Sequence, residues 1–268
     1  MPLGRRMIFV LLEVKDLNIS LTSGKSVAEH ISFRLGQGEM LSIVGSSGAG
    51  KTTICKAIMG LLGNAYRADG EILFRGEDLL DLPERKRQAI YGKEICLIMQ
   101  NPMTAFNPSI RVGRQLEKTY LLHHGKTPSQ EMQRLFAGIL QRLGLEDTQR
   151  ILNSYPFTLS GGMLQRLMIA AALMCQPALL VADEATTAID ACNRIGLMRE
   201  LKSFCKDGMS VLFVTHDLRS ASVSDRILVM DRGRIVEQGK TEQILNTPKE
   251  DYTKYLLNAC RLERREMS

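Results

Sequence analysis

Long apolar runs are missing from this 268-residue chain: none approaches the ~18 residues of a membrane-crossing helix. Nothing in it therefore reads as a span. The opening stretch MPLGRRMIFVLL is basic and then apolar, but no small-residue cleavage site follows, and it runs into the strand-like LEVKDL. It reads as a first strand rather than a secretory leader, with Met7 an alternative start. CxxC pairs are missing too. The six cysteines (55, 96, 175, 192, 205 and 260) are scattered, several in apolar segments, which suits a reducing cytoplasm better than a disulfide framework. No concentrated basic patch occurs. The net charge of +6 is modest, and basic residues alternate with acidic ones, as in RLERRE at 261–266. That pattern reads as a solvated surface, and no nucleic-acid partner is expected. Internal repeats, long linkers, low-complexity tracts and sustained heptads are also lacking. What remains is globular: 44% hydrophobic and 24% charged, enough for a large core as one big domain or two lobes.

The most informative stretch is SIVGSSGAGKTTICKAIMGLL at 42–62. EMLSIV (39–44) reads as a short buried strand, and Thr53–Leu62 as a helix with Ile54, Ala57, Ile58 and Leu61 on one stripe. Between them Gly45, Ser46, Ser47, Gly48, Ala49, Gly50, Lys51, Thr52 and Thr53 fit the spacing of a phosphate-binding loop. Glycines let the backbone curl so that N–H groups converge on an anion, and the following helix adds its positive end. Lys51 is placed to reach β- and γ-phosphates, and the Thr52 hydroxyl to ligate Mg²⁺.

Around this loop, Ile8–Val14 and residues 70–79 read as strands, and EICLIMQ (94–100) as a buried strand ending on Gln100. From 104 to 177 the pattern turns helical. Thr127, Pro128 and Gln130 form an N-terminal cap, Met132, Leu135, Phe136, Ile139, Leu140 and Leu143 one apolar face, and Gly144 a C-cap. LSGGMLQRLMIAAALMCQP is a loop feeding a helix that Pro177 stops. Strands return at ALLVAD, VLFVTHD and RILVMDRGRIVEQG, with a helix over 191–206 burying Ile195, Met198, Leu201 and Cys205. Strands separated by helices imply a mostly parallel sheet.

Two acids close the strand LLVADE (179–184). Ligand-binding groups in parallel sheets sit at strand carboxyl ends. Asp183 is placed to hold Mg²⁺ through water, and Glu184 to orient or deprotonate a water at the γ-phosphate. His216 ends another buried strand and could contact that phosphate. Gln100 could ligate Mg²⁺ or water. Taken alone, the acids are better explained as solvated and the histidine as structural, and Gln100 could simply cap its strand.

In combination they are more specific. The order GSSGAGKT (45–52), Gln100, LSGGM (159–163), LLVADE (179–184), AID (188–190) and His216 resembles the ATP-binding-cassette (ABC) ATPases over nearly the whole chain. The resemblance implies a single ABC nucleotide-binding domain of α/β fold: a phosphate-loop NTPase (RecA-like), mostly parallel sheet core with an antiparallel β edge and an inserted helical subdomain. The nucleotide-binding core would cover 1–103 and 178–250, the helical subdomain 104–177, and a C-terminal tail 251–268. It implies ATP and Mg²⁺ as cofactors, and Asp190 as a further nucleotide-site residue. Ser160, Gly161 and Gly162 would bind the γ-phosphate held by a second cassette. A Ser-Gly-Gly turn before a helix is independently an anion-binding N-terminus.

IMQNPMTAFNPS (98–109), SYPFTLSGGMLQRLMIAAAL (154–173) and PKEDYTKYLL (248–257) resemble the peptide/nickel importer branch, closest to the first ATPase of the nickel or metallophore type. This implies a second ABC ATPase, two membrane permeases, an external binding protein and a place on the cytoplasmic face of the cell membrane. The segment after Gln100 and the helical insert would grip the permeases. A dipeptide or oligopeptide importer is the alternative cargo class. Two other classes are a non-transport ABC ATPase acting on nucleic acid or ribosomes, and a regulatory subunit that binds ATP without hydrolysing it. The sequence departs from the pattern in places. Residues 10–32 hold no Phe, Tyr or Trp, so Leu21 or Thr22 stands where an adenine-stacking ring is usual. Ala185 replaces a usual proline and should loosen that turn, and Ile189 replaces a leucine. Cys260 is alone near the C-terminus. His123-His124 reads as an exposed loop or permease contact, since adjacent helical residues face apart.

Overall fold

The computed structural model describes residues 9–125, 129–186, 189 and 191–266 of the chain. The described residues form two sheets. β1 (Val10–Leu21), β2 (Ser26–Gly36), β4 (Tyr66–Phe74) and β5 (Glu77–Asp78) form an antiparallel sheet in the order β2-β1-β4-β5. β3 (Met40–Gly45), β6 (Ile95–Ile98), β7 (Leu179–Asp183), β8 (Ser210–Thr215), β9 (Arg226–Asp231) and β10 (Arg234–Lys240) form the second, ordered β10-β9-β3-β8-β7-β6. All its pairings are parallel except the β9–β10 hairpin. The antiparallel edge expected from sequence is thus both this hairpin and a whole additional sheet.

The central strands are apolar throughout because both faces are covered. Side chains alternate between faces: Val211 and Phe213 of β8 enter the core shared with the helical segment, while Leu212 and Val214 enter the core shared with the antiparallel sheet. Each such fully buried side chain contributes roughly 1.5–3 kcal/mol of transfer free energy.

The helices are α1 (Lys51–Ile58), α2 (Glu84–Ile90), α3 (Val112–His124), α4 (Ser129–Arg142), α5 (Thr148–Asn153), α6 (Gly161–Met174), α7 (Ala191–Lys206), α8 (Leu218–Ala221), α9 (Thr241–Asn246) and α10 (Asp251–Glu266). Helices α3 to α6 lie in the chain between β6 and β7 and pack on one face of the parallel sheet. None of the described helices is long and apolar enough to cross a membrane.

Several expectations need correction. α1 starts at Lys51 and ends at Ile58, and Leu61 is 55% exposed, because Gly60 at φ 64° turns the chain off the helix axis. On α7, Leu197 is buried and Ile195 only partly so. Residues 251–266 are a helix rather than a tail. The histidine pair closes α3 instead of lying in an exposed loop: His124 stacks on Tyr120 at 4.4 Å, and its Nε2 lies 2.9 Å from the Met174 carbonyl. α4 buries Met132, Phe136, Ile139 and Leu140 as its periodicity requires, with Leu135 partly buried; Leu143, just after the helix, is also buried, and Gly144 follows at φ 71°. Its expected cap residues Thr127 and Pro128 lie outside the described residues.

Candidate active site

β3 delivers the glycine-rich loop and α1 leaves it. Gly45 sits where a Cβ would fall 2.2 Å from the Met230 carbonyl of the neighbouring strand, so no larger residue fits. Gly50 caps α1 at φ 95°, with a Cβ position 2.7 Å from the Val27 carbonyl, so both its conformation and its space call for glycine. The loop is braced from outside: Gly233, in the β9–β10 turn, donates its amide to the Ala49 carbonyl at 3.2 Å. Ser46, Ser47 and Gly48 are exposed, whereas Ala49 and Gly50 are buried. The first turn of α1 carries no acidic side chain, so its positive end is not neutralised.

Lys51 is only 5% exposed, and its Nζ donates to the Gly45 and Ser46 carbonyls, each at 2.8 Å. Burial holds its pKa below the ordinary lysine value, against the opposing pull of Glu184 and Asp183. Thr52 Oγ1 donates to Asp183 Oδ1 at 3.2 Å across the gap between α1 and β7. Burial raises the Asp183 pKa, and the Thr52 hydrogen bond offsets part of that rise. Thr53 is partly buried behind them.

Strand order explains why the other groups meet here. The carboxyl ends of β3, β8, β7 and β6 lie side by side, which puts the loop, His216, Glu184 and Gln100 on one edge. Gln100 Nε2 donates to Glu184 Oε2 at 2.6 Å, and His216 Nδ1 lies 3.3 Å from Glu184 Oε1. Glu184 adopts φ 48°, a region costly for a residue with a side chain. Its amide donates to the Val214 carbonyl at 2.9 Å, and the Glu184 carbonyl accepts from the Thr186 amide at 2.8 Å. Ala185 is fully buried. Two backbone hydrogen bonds thus hold the turn in which Ala185 replaces the usual proline.

A glycine-braced loop with a buried lysine, a hydroxyl against a carboxylate, and a second carboxylate held by Gln100 and beside His216 form an arrangement suited to a nucleoside triphosphate. A family model described as ABC transporter matches residues 28–187. The chain belongs to the ABC transporter family. A metal-staphylopine import system ATP-binding protein of Staphylococcus aureus is 40% identical over 251 residues, 92% of each chain. An oligopeptide transport ATP-binding protein of Bacillus subtilis is 42% identical over 254 residues, covering 92% of this chain and 71% of that one. A dimeric ATP-binding cassette solved in a post-hydrolysis state with ADP and phosphate aligns with a TM-score of 0.76 and 26% identity, over 86% of this chain and 98% of its own.

This ABC ATPase binds ATP, and the oxygen-rich set of Thr52, Asp183 and Gln100 fits a hard cation such as Mg²⁺. Among the described residues, no group of three or more His, Cys, Asp or Glu side chains could hold a further metal. Ser160 caps α6, accepting from the Met163 amide at 3.2 Å. With Gly161 and Gly162 it lines a separate surface depression of about 620 Å³, shared with Asp147 and Arg150. The structure does not bring these three residues to the loop of the same chain. Asp190 lies outside the described residues.

Three residues escaped the sequence reading. Tyr66 pairs in register with Leu21 across β1 and β4 and packs, partly buried, against the core beneath that sheet. Arg194 donates to both the Asp217 carboxylate, at 3.1 Å, and the Ile189 carbonyl, at 3.3 Å, tying the segments after Glu184 and His216 together. Tyr252 on α10 accepts a hydrogen bond from the Ser46 amide at 3.1 Å. Only the Tyr66 register had a local signal, the strand pattern of β4 itself.

Proposed function

We propose that this chain is an ATP-hydrolysing subunit of an importer that takes up nickel or a metal chelate. It would work at the cytoplasmic face of the cell membrane with a second, different ABC ATPase, two permeases and an external binding protein. The observation that carries the cargo reading is the 40% identity along 92% of both chains with the metal-staphylopine import protein. Peptide uptake is the second reading, favoured by 42% identity with the oligopeptide transport protein. The permease surface would be the helical segment, where Met103, Leu122 and Phe157 are each more than half exposed.

In this reading the loop from Gly45 to Gly50, with the Ser46 amide turned to Tyr252, takes the β- and γ-phosphates together with Lys51 and the α1 terminus. Thr52, Asp183 and Gln100 hold Mg²⁺, which supplies charge neutralisation at the phosphates when bound. Glu184 orients and deprotonates the attacking water, and His216 faces the γ-phosphate. Ser160, Gly161 and Gly162, with Asp190, complete the site of the opposite cassette. ATP thus binds the closed pair more strongly than the open one, and that difference does work on the permeases.

The test is uptake in cells lacking the chain, using labelled nickel alone, nickel with a metallophore, and a labelled dipeptide. Each is measured after complementation with wild type or Glu184→Gln. Wild-type rescue confined to a nickel arm supports the first reading. Rescue confined to dipeptide supports the second. Rescue by Glu184→Gln would remove hydrolysis from the account.

A further inference from the structure

We propose that Tyr252 is a positioning residue for ATP: its hydroxyl, delivered by α10, holds the Ser46 amide and sets the phosphate loop before nucleotide arrives. The inference rests on residues 45–52 being the ATP loop.

Ser46 is fixed on both sides of its α-carbon. Its N–H donates to Tyr252 Oη at 3.1 Å, and its carbonyl accepts from Lys51 Nζ at 2.8 Å. This matters because Ser46, Ser47 and Gly48 are the exposed part of the loop, where packing supplies little order. The buried part is held by backbone instead: Gly233 donates to Ala49, and Glu29 in turn donates to the Gly233 carbonyl at 2.8 Å. The Tyr252 brace is a side chain from a helix 206 residues downstream in sequence.

α10 is placed to hold it there. Glu237 of β10 accepts the Lys249 and Glu250 amides, at 2.9 and 3.2 Å, immediately before the helix begins. Tyr252, Leu256 and Leu257 pack against a core that includes Val44, Ile227 and Ile244. At the far end Arg219 donates to the Cys260 carbonyl at 2.7 Å. Arg219 lies in α8, which begins two residues after His216. α10 therefore spans from the front of the phosphate loop to the segment behind His216, and holds the loop against the part of the sheet that carries the site.

A loop that must gather its N–H groups around a phosphate loses affinity for each residue it has to order on binding. Tyr252 orders Ser46 in advance. Tyr252→Phe keeps the ring and its packing, removes the acceptor and leaves the fold intact. With methylanthraniloyl-ATP as probe on the full chain, and phosphate release read on the chain assembled with its partner ATPase, Kd and KM should rise about five-fold, as expected for one lost hydrogen bond. kcat should move less than about two-fold. Tyr255→Phe, whose ring stacks on Tyr252 at 6.4 Å but is 67% exposed, should bind as wild type. A Tyr252→Phe variant with wild-type Kd overturns the proposal. So does a fall in kcat and thermal stability with KM unchanged, which would make α10 merely structural. Lys51→Ala is run in parallel. If it loses ATP while Tyr252→Phe does not, the positioning role alone fails. If Lys51→Ala binds normally, the assignment of the loop fails with it.

Discussion

Gln100 donates through Nε2 to Oε2 of Glu184 at 2.6 Å, joining the ends of β6 and β7. The contact leaves the other carboxylate oxygen of Glu184 beside His216. Gln100 and His216 thus fix the orientation of the Glu184 carboxylate from two sides. Glu184→Gln preserves the size of the side chain and removes the base. Phosphate release should fall about 10²- to 10⁴-fold, with ATP still bound. Gel filtration with ATP should then show retained nucleotide; turnover within three-fold of wild type would take Glu184 out of the reaction.

Metal dependence should pass through Thr52. Its hydroxyl already meets Asp183 at 3.2 Å, so the two oxygens are prepaired for one cation. EDTA should abolish hydrolysis. Thr52→Ala should raise the Mg²⁺ concentration for half-maximal turnover about ten-fold or more. An unchanged Mg²⁺ titration would place the cation elsewhere.

Stability should depend on pH through Asp217. Burial pushes its pKa up, but the Ser220 hydroxyl, the Arg219 amide and Arg194 outweigh that and hold it below the usual aspartate value of 3.8. A depressed carboxylate pKa stabilises the fold above the unfolded value, and that contribution is lost as pH falls through the folded value. Asp217→Asn should therefore cost about 1–3 kcal/mol at neutral pH, and the difference from wild type should shrink below about pH 4. Urea unfolding of both proteins across that range measures it; a pH-independent difference would exclude the charge as the cause.

If the base lies beside Leu21, it should also meet Tyr66, the cross-strand partner of that residue. Tyr66→Ala should weaken ATP binding about three- to ten-fold, roughly 0.5–1.5 kcal/mol of aromatic contact. Leu21→Ala should have a smaller effect. Equal ATP and GTP binding by the wild type, unaltered by Tyr66→Ala, would show that the ring does not touch the base.

How far the sequence spoke for itself depended on range. The loop 45–53 and the helices α4 and α7 were readable because glycine spacing and apolar periodicity are local properties. β1 and β2 were not separated as a sheet of their own, since bulges at Asp16 and His30, both at positive φ, interrupt their alternation. At the site, Gln100, Asp183, Glu184 and His216 were individually ambiguous strand ends, and only the order of strands made them neighbours. The Ser46–Tyr252 contact joins distant parts of the chain, and no local pattern announces such a pair.

The His124–Met174 contact has a mechanical side. It clamps one end of α6 close to where the chain enters β7, while the other end of that 14-residue helix carries Ser160. The helix is about 21 Å long, so a tilt about its Met174 end would be magnified at Ser160. Each degree of tilt there moves Ser160 by roughly 0.4 Å, so a rotation of a few degrees is as large as a hydrogen bond's tolerance. The stiffness of a histidine ring stacked on a tyrosine thus bears on how sharply a small push on the helical segment is felt at its far tip.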